Sequence, residues 1–500
     1  MNKWKKKSPT RPPLLLPIIF LFLIFIIILF LISYASISKS LFTTSSTLNS
    51  QFPQCTAKLT NPISGEKFLW FAPHSGFSNQ LLELKNAILM AVILNRTLIV
   101  PPVMDHHAVA LGSCPKFRVL DPKMLRLQVW NHTVELNRSK RYVSMASIVD
   151  LSALVSLSLM VKFVDFWDFA MFWCGIDMDL RCLDGSGDKS SVDSSLRKCG
   201  SFLSGLDGNV ERCLYALDDD CKTTVWTYQE DKEDGILDSF QPDEQLRKKK
   251  KVAYVRRRRD VFKALGPGTE AGSATVLAFG SLFTSPYKGS ELSIDIHDAP
   301  RDHRLKSLFS KLDSLPFVPE ITSAGKNFVL DRIKAPFLCA QLRLLDGQFK
   351  NHRKSTFLGL KQKLESLEKE NSLHAPIHIF VMTDLPESNW TNSYLGELRK
   401  NSDTYKLHNL REGDNLVVQT AKKIAYARHG LQSEFLPMEF RTKKSSCPPG
   451  TLPDILLYIE ETICSCASLG FVGTSGSTIA ESIELLRKGT SCRITGQSYM

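Results

Sequence analysis

Phe71-Ala-Pro-His-Ser-Gly-Phe-Ser-Asn-Gln80, followed by Leu94-Asn-Arg-Thr-Leu-Ile-Val-Pro-Pro102, reads as strand end, glycine turn, helix and second strand. Lys67–Pro73 predicts a strand. Leu81, Leu84, Ile88 and Val92 recur at helical spacing through Ser78–Ile93, and Thr97–Val100 is a short buried-strand run. Two strands joined by a crossover helix lie parallel, and parallel sheets place ligands beyond the carboxyl ends of their strands. The turn from His74 to Gln80 is such a place. Gly76 is read as the residue that permits it, while Ser78, Asn79 and Gln80 bring hydroxyl and amide groups to the start of the helix, where plain capping also accounts for Ser78 and Asn79.

The second half repeats the pattern. Phe337–Leu344, Ile377–Thr383 and Leu469–Gly473 predict strands, with helices over Thr356–Leu367, Asn415–Ala427, Leu452–Cys466 and Thr478–Leu486. This alternation predicts an α/β protein with mostly parallel sheets covered on both faces. The roughly 430 residues after Lys67 exceed one hydrophobic core. Two Rossmann-like domains facing a cleft, 66–330 and 331–500, are therefore expected, with 175–272 as an irregular insert in the first because its Gly, Ser, Asp and Lys residues break all periodicity.

Two more loops fall at strand ends. Cys339-Ala-Gln-Leu-Arg343 delivers a guanidinium, followed by Asp346, and a guanidinium suits bidentate contact with a diphosphate. A surface salt bridge is the plainer reading. Gly473-Thr-Ser-Gly-Ser-Thr478 offers hydroxyls and backbone N–H groups at a helix start, a phosphate cradle in type, and Thr478-x-x-Glu481 resembles a capping box. The chain lacks the Gly-Lys-Ser/Thr ending of a Walker loop and the Gly-x-Gly-x-x-Gly fingerprint there, which disfavours kinase-like and dehydrogenase chemistry.

At the N-terminus, Lys3, Lys5, Lys6, Lys7 and Arg11 precede an uncharged apolar run from Leu14 to Ile32. The run suits a membrane-crossing helix, and its flanking charge predicts 1–13 as a cytosolic tail, 14–32 as a signal-anchor and 33–65 as a Ser/Thr-rich stem. A cleaved signal peptide is the alternative, with Ser33-Tyr34-Ala35 as the cleavage site, though the apolar run is longer than a usual signal core. Twelve cysteines with no Cys-x-x-Cys pair argue for disulfides and against zinc. Cys174, Cys182, Cys199, Cys213 and Cys221 crowd one region as candidate crosslinks, whereas Cys339, inside an apolar strand, reads as an inert buried thiol. Sequons stand at Asn95, Asn131, Asn137 and Asn389. The net charge of +12 suits anionic partners. Lys248–Lys251 and Arg256–Arg259 read as a solvated loop or a polyanion contact, and an anchored lumenal chain shows them to no nucleic acid. Asp177-Met-Asp179 and Asp218-Asp-Asp220 match a short metal-binding pattern, but neither follows a convincing strand.

Taken in order, Gly76-Phe-Ser-Asn-Gln80, Leu94-Asn-Arg-Thr-Leu-Ile-Val-Pro-Pro102, Gln341-Leu-Arg343, Ile379-Phe-Val-Met-Thr-Asp384 and Gly473-Thr-Ser-Gly-Ser-Thr478 resemble the motif series of the GDP-fucose protein O-fucosyltransferase family, in its plant O-fucosyltransferase-like branch. The resemblance implies a GT-B-like fold and inverting transfer of fucose from GDP-fucose to a glycan or protein acceptor. No cofactor or obligatory metal is implied, and the setting is the Golgi membrane, with a single type II helix and a lumenal catalytic part. It places Arg343 on the β-phosphate, Asp346 and Asp384 near the nucleotide, and Ser475, Ser477 and Thr478 around the phosphate and sugar. Gly76, Phe77, Ser78 and Asn79 would face the fucose. Two departures stand out: Gln341 replaces a frequent histidine, and His74-Ser75 replaces a carboxylate that certain members carry before the turn. His74 is then the candidate base for the acceptor hydroxyl, with Asp105, His106 and His107 as the alternative. UDP-rhamnose as donor, or a non-catalytic Golgi binding protein of the same fold, are the competing readings.

Overall fold

Among the described residues, short parallel strands alternate with longer helices that pack on them. The computed structural model describes residues 65–105, 122–155, 161–174, 189–217, 224–226, 254–256, 265–282, 307–308, 310–312, 315–345, 347–369, 376–427, 451–489 and 492. The chain divides into two units, Met1–Ala57 and Lys58–Met500. The expected tail and anchor, and the stem apart from Gly65, lie outside the described residues.

In chain order the described strands are β1 (Phe68–Trp70), β2 (Thr97–Val100), β3 (Phe163–Asp165), β4 (Leu214–Ala216), β5 (Thr224–Trp226), β6 (Tyr254–Arg256), β7 (Val276–Ala278), β8 (Phe337–Leu342), β9 (Ile377–Thr383), β10 (Tyr405–His408) and β11 (Gly470–Gly473). The principal helices are α1 (Phe77–Leu94), α2 (Pro122–Arg138), α3 (Phe166–Cys174), α4 (Lys189–Leu203), α5 (Pro319–Phe328), α6 (Arg353–Lys369), α7 (Asn415–Ala427), α8 (Leu456–Ser465) and α9 (Thr478–Lys488).

One sheet has the order β3-β2-β1-β7-β4 and another β10-β9-β8-β11, with every neighbouring pair parallel. The protein is thus mixed α/β with parallel sheets. β5 and β6 form a separate parallel pair. The stretch 175–272, expected to be irregular, contains α4 and the edge strand β4. A three-residue strand shows too little alternation to announce itself.

β8 is buried along its whole length. Leu338, Ala340 and Leu342 face α6 through Leu360, Leu364 and Leu367, while Phe337 and Cys339 face the other way, into a cluster with Ile459, Ile463 and Cys464 of α8. That cluster also takes in Leu69 and Leu277 of the first sheet and most of α1. Helix α1 is long and apolar enough to cross a membrane, yet most of it is buried, so it serves as the core helix between the sheets.

The direction of the packed helices follows from pairs of contacts. The Arg487 guanidinium near the end of α9 donates to the carbonyls of Cys464 and Ala467 at the end of α8, and the Ser482 hydroxyl donates to Glu461 one turn earlier. The two helices therefore run the same way. Phe77, first in α1, packs at a tilt against Tyr458 near the start of α8 with ring centroids 4.4 Å apart. The starts of α1, α8 and α9 thus gather at one end, the end to which the strands of both sheets point.

Cys339 is not a free thiol: strand alternation turns it toward α8, where it bonds to Cys464. Cys174 pairs with Cys199 and Cys466 with Cys492. The Cys339–Cys464 bond closes a separation of 125 residues, worth about 5 kcal/mol by chain entropy. The double variant Cys339→Ala/Cys464→Ala is expected to melt about 5 °C lower in a thermal scan. An unchanged melting temperature contradicts the crosslink's role in holding β8 on α8.

Candidate functional site

β8 lies between β9 and β11, so connections leave it in opposite directions and a crevice opens beyond the ends of β8 and β11. Side chains from both neighbours hold the end of β8. The Thr474 hydroxyl donates to Gln341 O and accepts the Arg343 N–H, while the Gln341 side-chain oxygen accepts the Thr474 N–H. From β9, the Asp384 carboxylate accepts the N–H groups of Leu344 and Leu345 at 2.7 and 3.0 Å, and the Thr383 hydroxyl donates to Leu342 O. Asp384 is therefore a brace for the loop that carries Arg343. The Arg343 guanidinium is half-buried over the Phe349 ring, 4.9 Å from its centroid. Asp346 lies outside the described residues.

The loop after β11 needs its glycines. A Cβ on Gly473 would meet the Ala480 side chain at 2.6 Å, and Gly476 is left-handed at φ +71°. The capping box expected at Thr478 and Glu481 does not form: the N-cap is Ser477, one residue earlier, and its hydroxyl makes no capping bond. That hydroxyl is buried without a hydrogen-bond partner among the described residues, a state that costs about 1–3 kcal/mol. Ser475 is exposed and Thr478 half-buried beside it.

At the start of α1 the left-handed residue is Ser75, φ +67°, and Gly76 is an extended N-cap at φ −70°. A serine in that region carries strain of about 1–3 kcal/mol. Phe77 is packed against Tyr458 and Phe317, and the Ser78 Oγ and Asn79 Oδ1 atoms are buried without partners among the described residues. Unpaired buried polar atoms thus stand at the starts of both α1 and α9.

His74, read as a base, has its imidazole in the interior and is fully buried. Its Nε2 lies 2.8 Å from Ser281 Oγ and its Nδ1 2.9 Å from Ser75 Oγ. Glu83, equally buried, has Oε1 3.6 Å from Nε2, the spacing of a salt bridge. Burial lowers His74 to about 4, and burial raises Glu83 to about 8 despite hydrogen bonds from Leu282, His74 and Ser281. Two full charges so far from water are costly, so the neutral pair is the stable form. No motif singled out Glu83; only its place on the buried face of an apolar helix marks it as unusual.

Asp105 is half-exposed and paired with Arg141 at 2.9 Å, with His132 3.4 Å away; His106 and His107 lie outside the described residues. So do Asp177, Asp179 and Asp218–Asp220, and among the described residues no group of three or more acidic, His or Cys side chains is arranged to hold a metal. Asn95, Asn131 and Asn389 are exposed and Asn137 half-buried, whereas Thr133 of the Asn131 sequon is fully buried within α2.

No family model matches the chain. It is 57% identical over 493 residues to O-fucosyltransferase 30 of Arabidopsis thaliana, covering 98% of this chain and 96% of that one. Among solved structures, POFUT1 in complex with GDP-fucose is similar at a TM-score of 0.38 and 14% identity, covering 87% of this chain and 98% of the other. An Arabidopsis thaliana FUT1 mutant in complex with GDP scores 0.34 at 11% identity, covering 84% and 68%.

The buried carboxyls set a pH dependence. Burial raises Glu83 and Glu461 to about 8, so their stabilising contribution is complete below the ordinary carboxyl range and is lost as pH rises through about 8. His74 acts oppositely, losing its contribution as pH falls from 6.5 through about 4. Between these ranges the slopes oppose; above pH 6.5 only the carboxyl slope remains. The melting temperature is expected to fall from about pH 6.5 to 8.5, and Glu461→Gln to remove part of that fall. A flat or rising profile over this interval contradicts the two protonated carboxyls.

Proposed function

The chain belongs to the O-fucosyltransferase family, and from that premise we propose that it transfers fucose from GDP-fucose to a hydroxyl of a glycan or protein acceptor, with inversion. The observation that carries the reading is local. Arg343 leaves the end of β8 beside the crevice, held there by Thr474 of the same loop that opens α9.

As the bond from the sugar to the nucleotide breaks, negative charge grows on the departing diphosphate. A guanidinium gives such oxygens a bidentate partner, and a helix start adds backbone N–H groups and a partial positive charge. Ser477, whose hydroxyl is without a partner among the described residues, supports a phosphate or sugar contact there, as do Ser475 and Thr478 by position. Asp384, which braces the loop after β8, and Asp346 would lie near the nucleotide. From the other sheet Gly76, Phe77, Ser78 and Asn79 would meet the fucose, and the unpaired atoms of Ser78 and Asn79 support that. The burial of His74 supports a role behind this turn rather than contact with the acceptor.

The two parallel sheets, each with strand ends at a reversal of order, support a GT-B-like pair of domains, 66–330 on the acceptor side and 331–500 for the nucleotide sugar. Anchoring by 14–32 as a type II Golgi protein completes the reading. The observed disulfides suit the oxidising lumen, and Asn389, exposed together with Thr391 of its sequon, suits glycosylation there, whereas Thr97 of the Asn95 sequon is buried in β2.

Two measurements test it. GDP is expected to raise the melting temperature of the full-length protein in detergent, and UDP to leave it unchanged; the reverse points to a uridine donor. Arg343→Ala is expected to lower kcat with GDP-fucose by about 10²–10³-fold while the melting temperature stays near wild type. Unchanged turnover removes Arg343 from the diphosphate.

A further inference from the structure

The turn that opens α1 is fastened far more heavily than a helix start requires. Glu83, in the second turn of α1, reaches back past the N-terminus. Its Oε1 accepts the His74 N–H at 3.2 Å, and its Oε2 accepts the Leu282 N–H at 3.0 Å and the Ser281 hydroxyl at 3.2 Å. The His74 ring spans from Ser281 to Ser75. From the opposite side Gln80 donates to the Ser75 and Met104 carbonyls at 2.7 and 3.0 Å and accepts the Met104 N–H. Glu83, His74 and Gln80 are all fully buried.

These bonds join the ends of three strands. His74 follows β1, Ser281 and Leu282 follow β7, and Met104 follows β2; β1 and β7 flank the point where the order of the first sheet reverses. A Ser–His–Glu hydrolytic assembly is not what they form. Glu83 lies on the same ring edge of His74 as Ser281, where an orienting carboxylate belongs on the opposite one, and the serine hydroxyl is buried. What the network does hold is Ser75 in a left-handed backbone that serine rarely adopts. Strain of this kind persists only where the surroundings over-determine it. Shortly after it come Ser78 and Asn79, whose buried Oγ and Oδ1 atoms have no partner among the described residues.

We infer that Glu83 is a positioning residue for sugar transfer: through His74 and Ser281 it locks residues 75–79 in the geometry that presents Ser78 and Asn79 to the donor sugar, without itself touching it. This rests on the fucosyl-transfer reading. The nucleotide end of the donor is held by the other sheet, so loosening the lock spoils the alignment of the sugar and leaves nucleotide binding in place.

The test uses the full-length protein in detergent with Glu83→Gln, Ser281→Ala and Ser281→Thr. Glu83→Gln keeps the shape and neutrality of the protonated acid but puts an NH₂ group, which only donates, where a carboxyl oxygen accepts, and Ser281→Ala removes the bridging hydroxyl that Ser281→Thr retains. Glu83→Gln and Ser281→Ala are expected to lower kcat by at least about tenfold, with KM for GDP-fucose and the GDP-induced rise in melting temperature close to wild type. Ser281→Thr is expected to recover most of the rate. Amide hydrogen exchange across 75–80 is expected to quicken in the two slow variants and to stay unchanged in α9. Wild-type rates in Glu83→Gln overturn the inference, as does equal damage in Ser281→Ala and Ser281→Thr, which marks a packing effect. Should the wild type fail to use GDP-fucose, the transfer reading falls. The exchange measurement then decides the lock by itself, and unaltered exchange in Glu83→Gln overturns it.

Discussion

A parallel strand that ends in the interior leaves backbone N–H and carbonyl groups that need partners away from water, and the architecture of this protein depends on how those ends are satisfied. At the end of β8, Thr474 serves both Gln341 and Arg343, and Asp384 takes the next two N–H groups. The residues best placed for chemistry thus owe their positions to the pairing of the backbone. Arg343 points where it does because its own N–H is tied down.

The first sheet meets the same demand differently. There the stitches are ionisable side chains, Glu83 and His74, kept neutral by burial. The second sheet uses a hydroxyl, a carboxamide and an exposed carboxylate. Between them α1 packs against α8 and α9, so the two sets of strand ends open at one end of the molecule. Lys85 of α1 lies close enough to Glu461 of α8 to favour its charged form.

Much of this was legible in the sequence. Thr97–Val100, Ile377–Thr383 and Asn415–Ala427 are elements whose bounds periodicity gives directly, and the loops at Arg343 and Gly473–Ser477 do sit at strand ends. β3, β4 and β7 escaped because three residues hold too little alternation to register. The partner of Cys339 escaped because a strand's two faces are told apart only once its neighbours are known. Gly76 reads as the conformationally free residue of its turn, yet the strain falls on Ser75, since the bonds from Gln80 and His74 fix the chain there. Glu83 was invisible: within an apolar helix a single glutamate looks like a solvated position until both ends of its carboxylate are seen to be taken.

The Cys339–Cys464 bond has a consequence for biogenesis. Cys339 emerges from the ribosome 125 residues ahead of its partner, so β8 spends that stretch of synthesis as an apolar segment bearing a reactive thiol, with Cys174 and Cys199 already available for mispairing. Folding with the native pairing is thereby tied to thiol–disulfide isomerisation, and a reducing bacterial cytosol is a poor place to make the protein.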